Sequence, residues 1–226
     1  MKILAVDTAT ERCSVAIAMG DEILERTTDT PRGHADLVLP MIESLLQEAG
    51  LALTQLDGIA YGRGPGAFTG VRIAVGVVQG LAFGARLLTA GISNLAAVAQ
   101  QAARPGDRVL VCMDARMGEV YWGTFECDPQ SGLVHEMTTE EVAAPERVIE
   151  QLLASAPFGV LAGTGFQAYP RLAEIVARGP TFPALLPRAR EIAVLGIREF
   201  QQGNGLEAAR AQPVYLRNQV ASVKRM

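Results

Sequence analysis

The same order of elements is written twice in this chain, and that repetition constrains the fold more than any single motif does. Ile3 to Val6 reads as a strand ending in Asp7-Thr8, Cys13 to Met19 as a second, and Glu22 to Thr28 as a third, entered through Gly20-Asp21. Apolar runs of this length bounded by turn residues make a three-stranded meander. The pattern returns further on: Val109 to Met113 ends in Asp114, Glu119 to Cys127 follows, and Leu133 to Thr138 comes third. Asp7 and Asp114 thus hold equivalent places, each at the end of the first strand of its meander.

Helices and strands alternate after each meander. Beyond Pro31-Arg32-Gly33, Leu37, Met41, Leu45 and Ala49 form one helical stripe with Val38, Ile42 and Leu46 beside it, and Pro40 either kinks that helix or falls in its first turns. Asp57 to Tyr61 is a short strand, Gly62 to Gly66 a glycine-rich turn, and Thr69 to Gly84 a helix. Leu87 to Ala90 is a strand, and Ser93 caps a helix running to Ala103. Arg104-Pro105-Gly106-Asp107 is the linker, which divides the chain into 1–103 and a smaller 104–226. The second half continues with a helix at Glu146 to Ser155, a strand at Gly159 to Ala162, a Gly163-Thr164-Gly165 turn, and helices at Pro170 to Ala177 and Arg190 to Gln202. The last of these can pack back on the first half. Mixed sheets covered by helices are the expected architecture.

At 226 residues, 49% of them hydrophobic, and with mean hydropathy +0.20, the chain buries a sizeable core rather than staying disordered. A net charge of -4 supplies no broad positive field for nucleic acid, and the basic end from Arg217 to Arg225 reads as a solvated tail. Cys13, Cys112 and Cys127 sit in apolar strand-like runs without a C-x-x-C spacing, as buried thiols in a reducing compartment do. Met1-Lys2 passes straight into a strand, and Val71 to Ala85 is shorter than the ~20 residues that span a bilayer. A soluble, cytoplasmic protein without membrane contact is expected.

Few residues offer chemistry. His34 and His135 are the two histidines; neither joins a zinc-like cluster or a nucleophile motif, and His34 is read as starting the first long helix. Glu140-Glu141 reads as a solvated face, and Tyr121-Trp122 as strand residues with one buried aromatic. Gly62-Arg63-Gly64-Pro65-Gly66-Ala67-Phe68-Thr69-Gly70 lacks both the Gly-Lys-Ser/Thr ending of a P-loop and the register of a dinucleotide site.

Two such halves, each with an aspartate at its first hairpin, resemble the superfamily of actin, the heat-shock chaperone ATPases and the sugar kinases. The resemblance implies an α/β fold of two actin-like (ASKHA, ribonuclease H-like) halves. In that superfamily Asp7-Thr8-Ala9-Thr10 would be the first phosphate loop. Thr8 stands where glycine is usual, so Asp7, Thr8, Thr10 and Asp114 are expected to be a vestigial phosphate site, and hydrogen bonding within the turn is an equal reading of Asp7 and Thr8.

Gly64-Pro65-Gly66-Ala67-Phe68-Thr69-Gly70-Val71-Arg72 is similar to the hallmark of the TsaB/TsaD family (TsaB is also called YeaZ), with Phe68 to Arg72 favouring the TsaB branch. Asp114-Ala115-Arg116, Glu119-Val120-Tyr121 and Pro213 to Arg217 extend the likeness over nearly the whole chain. That branch implies a non-catalytic scaffold that pairs with the transferase TsaD and the ATPase TsaE to make threonylcarbamoyladenosine beside the anticodon, touching tRNA only through the complex. The catalytic paralogue carries a metal-binding His pair where this chain has Asn94 and Val98, so no metal, no cofactor and no transferase activity are expected. An ATPase or small-molecule kinase of the same superfamily is the alternative, drawing on Asp7, Thr10, Asp114 and Gly163-Thr164-Gly165, though each half is small for an adenine pocket. A metallo-glycopeptidase fails on the absent ligands.

Gly76, Gly80 and Gly84 recur every four residues and line one helix face. Each costs ~1 kcal/mol relative to alanine, so a close-approaching partner is needed to offset them. That partner is either the chain's own sheet or another subunit. The family resemblance implies the second: an interface of His34, Leu37, Val38 and Met41 on the first long helix with Thr69, Arg72, Ile73, Gly76, Val77, Gly80 and Gly84 on the glycine helix. A free homodimer and the TsaD heterodimer would share it.

Overall fold

The computed structural model describes residues 1–152, 158–176 and 179–217. The predicted helix ends at 153–155 and 177 and the basic tail from 218 lie outside the described residues.

The first meander is β1 (Lys2–Asp7), β2 (Arg12–Met19) and β3 (Glu22–Asp29), each antiparallel to the next. β4 (Gly58–Gly62) and β5 (Leu88–Ile92) join β1 in parallel, as their helical crossovers require. A two-residue strand late in the chain, β12 (Leu206–Glu207), closes the edge, so the order is β12-β5-β4-β1-β2-β3. The second sheet runs β11-β10-β6-β7-β8, from Thr181–Phe182, Val160–Ala162, Arg108–Arg116, Glu119–Cys127 and Val134–Glu136, with β9 (Glu141–Ala143) also on β7. β1 and β6 thus occupy matching central places, and Asp7 and Asp114 lie near their ends.

β1 is buried on both faces, so its sequence is a continuous apolar run rather than an alternation. Its side chains still divide by parity. Leu4 and Val6 face a core with α1 (His34–Glu48) and α2 (Phe68–Ala85). Ile3 and Ala5 face a second core with α3 (Asn94–Ala102) and α7 (Ala189–Gln201), which also takes Val109, Val111 and Phe125 of the second sheet. The two sheets therefore share the layer that holds α3 and α7. The chain from Ala189 onward returns to the first sheet, with α7 packed across β1, β2 and β4. The outer face of the second sheet is covered by α4 (Pro145–Leu152), α5 (Gly165–Ala168) and α6 (Pro170–Val176) around Leu110, Trp122 and Leu161.

Most predicted elements lie within a residue or two of their places. Ser93 caps α3, its hydroxyl accepting from Ala96 N at 3.1 Å. Pro40 is inside α1, two turns in and on its exposed side. The sequence reading missed β9, β11, β12 and α5, all of four residues or fewer. Such pieces hold too few side chains to show a period. α2 starts one residue before Thr69 and reaches 18 residues, long and apolar enough to cross a membrane by length and composition. Its inner face, Val71, Ala74, Val75, Val78 and Ala82, is buried against the sheet.

Candidate functional site

α2 carries the first candidate surface. A Cβ placed on Gly76, Gly80 or Gly84 would meet nothing within 4 Å among the described residues beyond its own helix, so the glycine stripe faces away from the chain's own core. Thr69 and Arg72 are exposed on the same face, Ile73 and Val77 are half-buried at its edge, and Phe83, seven residues beyond Gly76, is 81% exposed. Leu37 and Met41 of α1 are half-buried beside it and Leu39 is 50% exposed. Two of the expected residues point elsewhere: Val38 is fully buried beneath α1, and His34, the first residue of that helix, is only 8% exposed, with Nε2 lacking a partner. Their side chains are core, because one face of α1 must cover β2. Phe83 and Leu39 were not anticipated, although the i, i+7 spacing from Gly76 carried the signal for Phe83.

The second feature is a polar node under the hallmark loop. Asp7 is fully buried; its Oδ1 accepts from Asn94 Nδ2 at 2.6 Å, and its Oδ2 has no partner among the described residues. Asn94 Oδ1 in turn accepts from Gly64 N at 2.8 Å. Burial pushes the Asp7 carboxyl up to about 7, against the pull of the Asn94 and Ala9 hydrogen bonds. The node depends on two close approaches. A side chain at Gly62 would strike the Asp7 and Asn94 head groups, and one at Gly70 would strike the carbonyl of Thr8. Thr8 is itself buried, its hydroxyl donating to Gly70 O at 2.7 Å. The spacing of the hallmark loop thus locks the β1 hairpin onto the first turn of α2.

A cleft of about 1400 Å³ opens between the two halves, lined on one side by Thr8, Thr10 and the 65–70 loop and on the other by Asp114, Arg116 and Thr164. Asp7 is not among its lining residues. Thr10 Oγ1 accepts from Arg12 N at 3.2 Å, and Asp114 accepts from Arg116 N at 2.8 Å and pairs with its guanidinium at 3.1 Å. Thr10 and Asp114 are thus engaged by their own hairpins, and Thr8 by the first turn of α2. Val98 lies in the core and the Asn94 amide is committed to Asp7 and Gly64, so these two positions cannot serve as a pair of metal ligands. Among the described residues no three His, Cys, Asp or Glu side chains gather where they could hold one ion.

Glu140 corrects the expectation of a solvated pair. It is 7% exposed, its carboxylate takes the Ser93 hydroxyl and stands 3.8 Å from Arg63, and burial raises its carboxyl above the ordinary range. It joins the second sheet to the cap of α3. Trp122 is the buried aromatic, and Tyr121 is half-buried. All three cysteines are free and buried; burial raises the thiols of Cys13, to about 11, and of Cys112, so neither is a ready nucleophile.

Two mixed sheets, each opening on a meander and packed on a shared helical layer, with a cleft between the hairpin ends of the two halves, define an actin-like α/β protein. The model of the family described as TsaD, tRNA N6-adenosine threonylcarbamoyltransferase, matches residues 23–222. The chain is 43% identical to the "tRNA threonylcarbamoyladenosine biosynthesis protein TsaB" of Escherichia coli K12, covering 98% of this chain and 96% of that one. It is 39% identical to the Haemophilus influenzae protein of the same name, over 97% and 95% of the two chains. The solved structure of YeaZ from Pseudomonas aeruginosa superposes with a TM-score of 0.83 at 41% identity, covering 95% of this chain and 99% of that one. The chain belongs to the TsaB (YeaZ) family, within the wider group that the TsaD model describes.

Proposed function

We propose that this chain is the non-catalytic scaffold subunit in the synthesis of N6-threonylcarbamoyladenosine in tRNA. It binds and supports the transferase TsaD together with the ATPase TsaE, works in the cytoplasm, and meets tRNA only through that complex. The observation that carries the reading is the bare face of α2, where three helix-weakening glycines and the exposed Phe83 are left uncovered by the described residues. A face of this kind, set beside the half-buried Leu37 and Met41, suits close helix-to-helix packing. The same surface serves a homodimer of the free chain, so homodimer and heterodimer exclude one another. The commitment of Asp7, Thr8, Asn94 and Asp114 to internal hydrogen bonds supports the absence of catalysis. The kinase-like alternative retains one observation in its favour, the size of the cleft.

Gly80→Leu tests the reading. The free chain has room for the side chain, so its thermal melt should stay near the parent's, while self-association by size-exclusion mass and capture of TsaD both fail. A folded Gly80→Leu chain that forms both assemblies as the parent does would overturn the interface.

A further inference from the structure

The end of the described chain ties the two halves together across the mouth of the cleft. Ala211 is buried, and its carbonyl accepts from Gln79 Nε2 of α2 at 2.9 Å. The Tyr61 hydroxyl of β4 accepts from Gln212 N at 3.0 Å and lies 3.3 Å from Gln212 O. Val214 N donates to Arg63 O at 2.7 Å. The Tyr215 ring then rests 5.5 Å from that of Phe68, with the Arg72 guanidinium 3.3 Å from the Phe68 centroid and 5.2 Å from that of Tyr215. All these anchors belong to the first half. Two residues later the chain has crossed to the second: Arg217 Nη2 pairs with the Glu119 carboxylate and lies 3.2 Å from Ala115 O and 3.3 Å from Arg116 O, its two N–H groups shared among the three acceptors. Val214 to Arg217 line the cleft between these attachments.

The receiving turn is the two-residue connection of the β6–β7 hairpin, with Met117 and Gly118 at φ 58° and 81° as such tight hairpins require, and Arg116 at 61° beside the irregularity at Asp114/Arg116. The charged Arg217 head group docks on the Ala115 and Arg116 carbonyls and on the Glu119 carboxylate.

We infer that Ala211–Arg217 is a clasp that sets the opening of the cleft, holding it closed while Arg217 sits on the 115–119 turn and letting it widen when Arg217 leaves. The inference does not depend on the scaffold reading, since it concerns only this chain's two halves.

Spin labels at Glu11→Cys and Gln167→Cys, both exposed and on opposite walls of the cleft, read the opening directly; the native thiols are buried and stay unlabelled. The full chain should give one narrow distance distribution. Arg217→Ala, and independently Tyr215→Ala, should shift it to longer distances and broaden it. Arg217→Lys keeps the charge on a shorter, rounder head group with a different reach, and should fall between. If Arg217→Ala does not fold, Glu119→Gln, which preserves volume, decides in its place. A folded Arg217→Ala or Glu119→Gln chain with the parent's distribution overturns the clasp.

Discussion

Replacing Asp7 by asparagine should change how the stability of this protein depends on pH. The carboxyl titrates at 3.8 when free and at about 7 when folded. At ~1.4 kcal/mol for each pH unit, that difference corresponds to about 4 kcal/mol. The sign follows from proton counting. Below the free value both states hold the proton and the carboxyl's ionisation contributes nothing. Between the two values the unfolded chain releases it while the folded chain keeps it, so stability falls as pH rises. Above the folded value both are ionised and the full cost of a buried carboxylate stands. About 2.5 kcal/mol of it should develop between pH 5 and pH 8. The amide introduced by Asp7→Asn would still accept from Asn94 through its oxygen, and its nitrogen would take the place of the unpartnered Oδ2 at a pH-independent cost of ~1–3 kcal/mol. Urea unfolding of parent and Asp7→Asn at both pH values separates these contributions, because the other titrating groups cancel in the difference. The parent should lose stability relative to the variant on going to pH 8. Equal pH dependence in the two chains would refute the burial argument.

Glycines of one helix should respond in opposite directions: Gly76→Ala should stabilise the dissociated chain by ~1 kcal/mol, whereas Gly70→Ala drives a methyl into Thr8 O and should cost ~1–3 kcal/mol, both read by urea unfolding. Ser93→Ala removes the cap of α3 and the partner of Glu140 together. It should cost ~2–4 kcal/mol, and a double-mutant cycle with Glu140→Gln should show coupling. Calorimetry with ATP and magnesium should give no submicromolar binding, because Thr8 is held by the first turn of α2 and Asp114 by its own hairpin; submicromolar affinity lost on Asp114→Ala would favour the kinase-like alternative.

The repeat of meanders, the Ser93 cap and the glycine stripe of α2 were all legible in the sequence. Each is written in neighbours one or two helical turns apart, or in strands joined by short turns, and the hydrogen bonds or periods that define them close over that distance. Tertiary structure decided which way those features face. Sequence alone left open whether the glycines met the chain's own sheet, and it assigned Val38 and His34 to the surface and Glu140 to solvent. Asp7 meets Asn94 across 87 positions and Ser93 meets Glu140 across 47, and no local pattern records such pairings. β12 and the strap to Arg217 are equally invisible, since two residues show no period and a strap is defined only by the surfaces it joins. Backbone propensity acts between neighbours, but whether a polar side chain is buried depends on the elements that close over it.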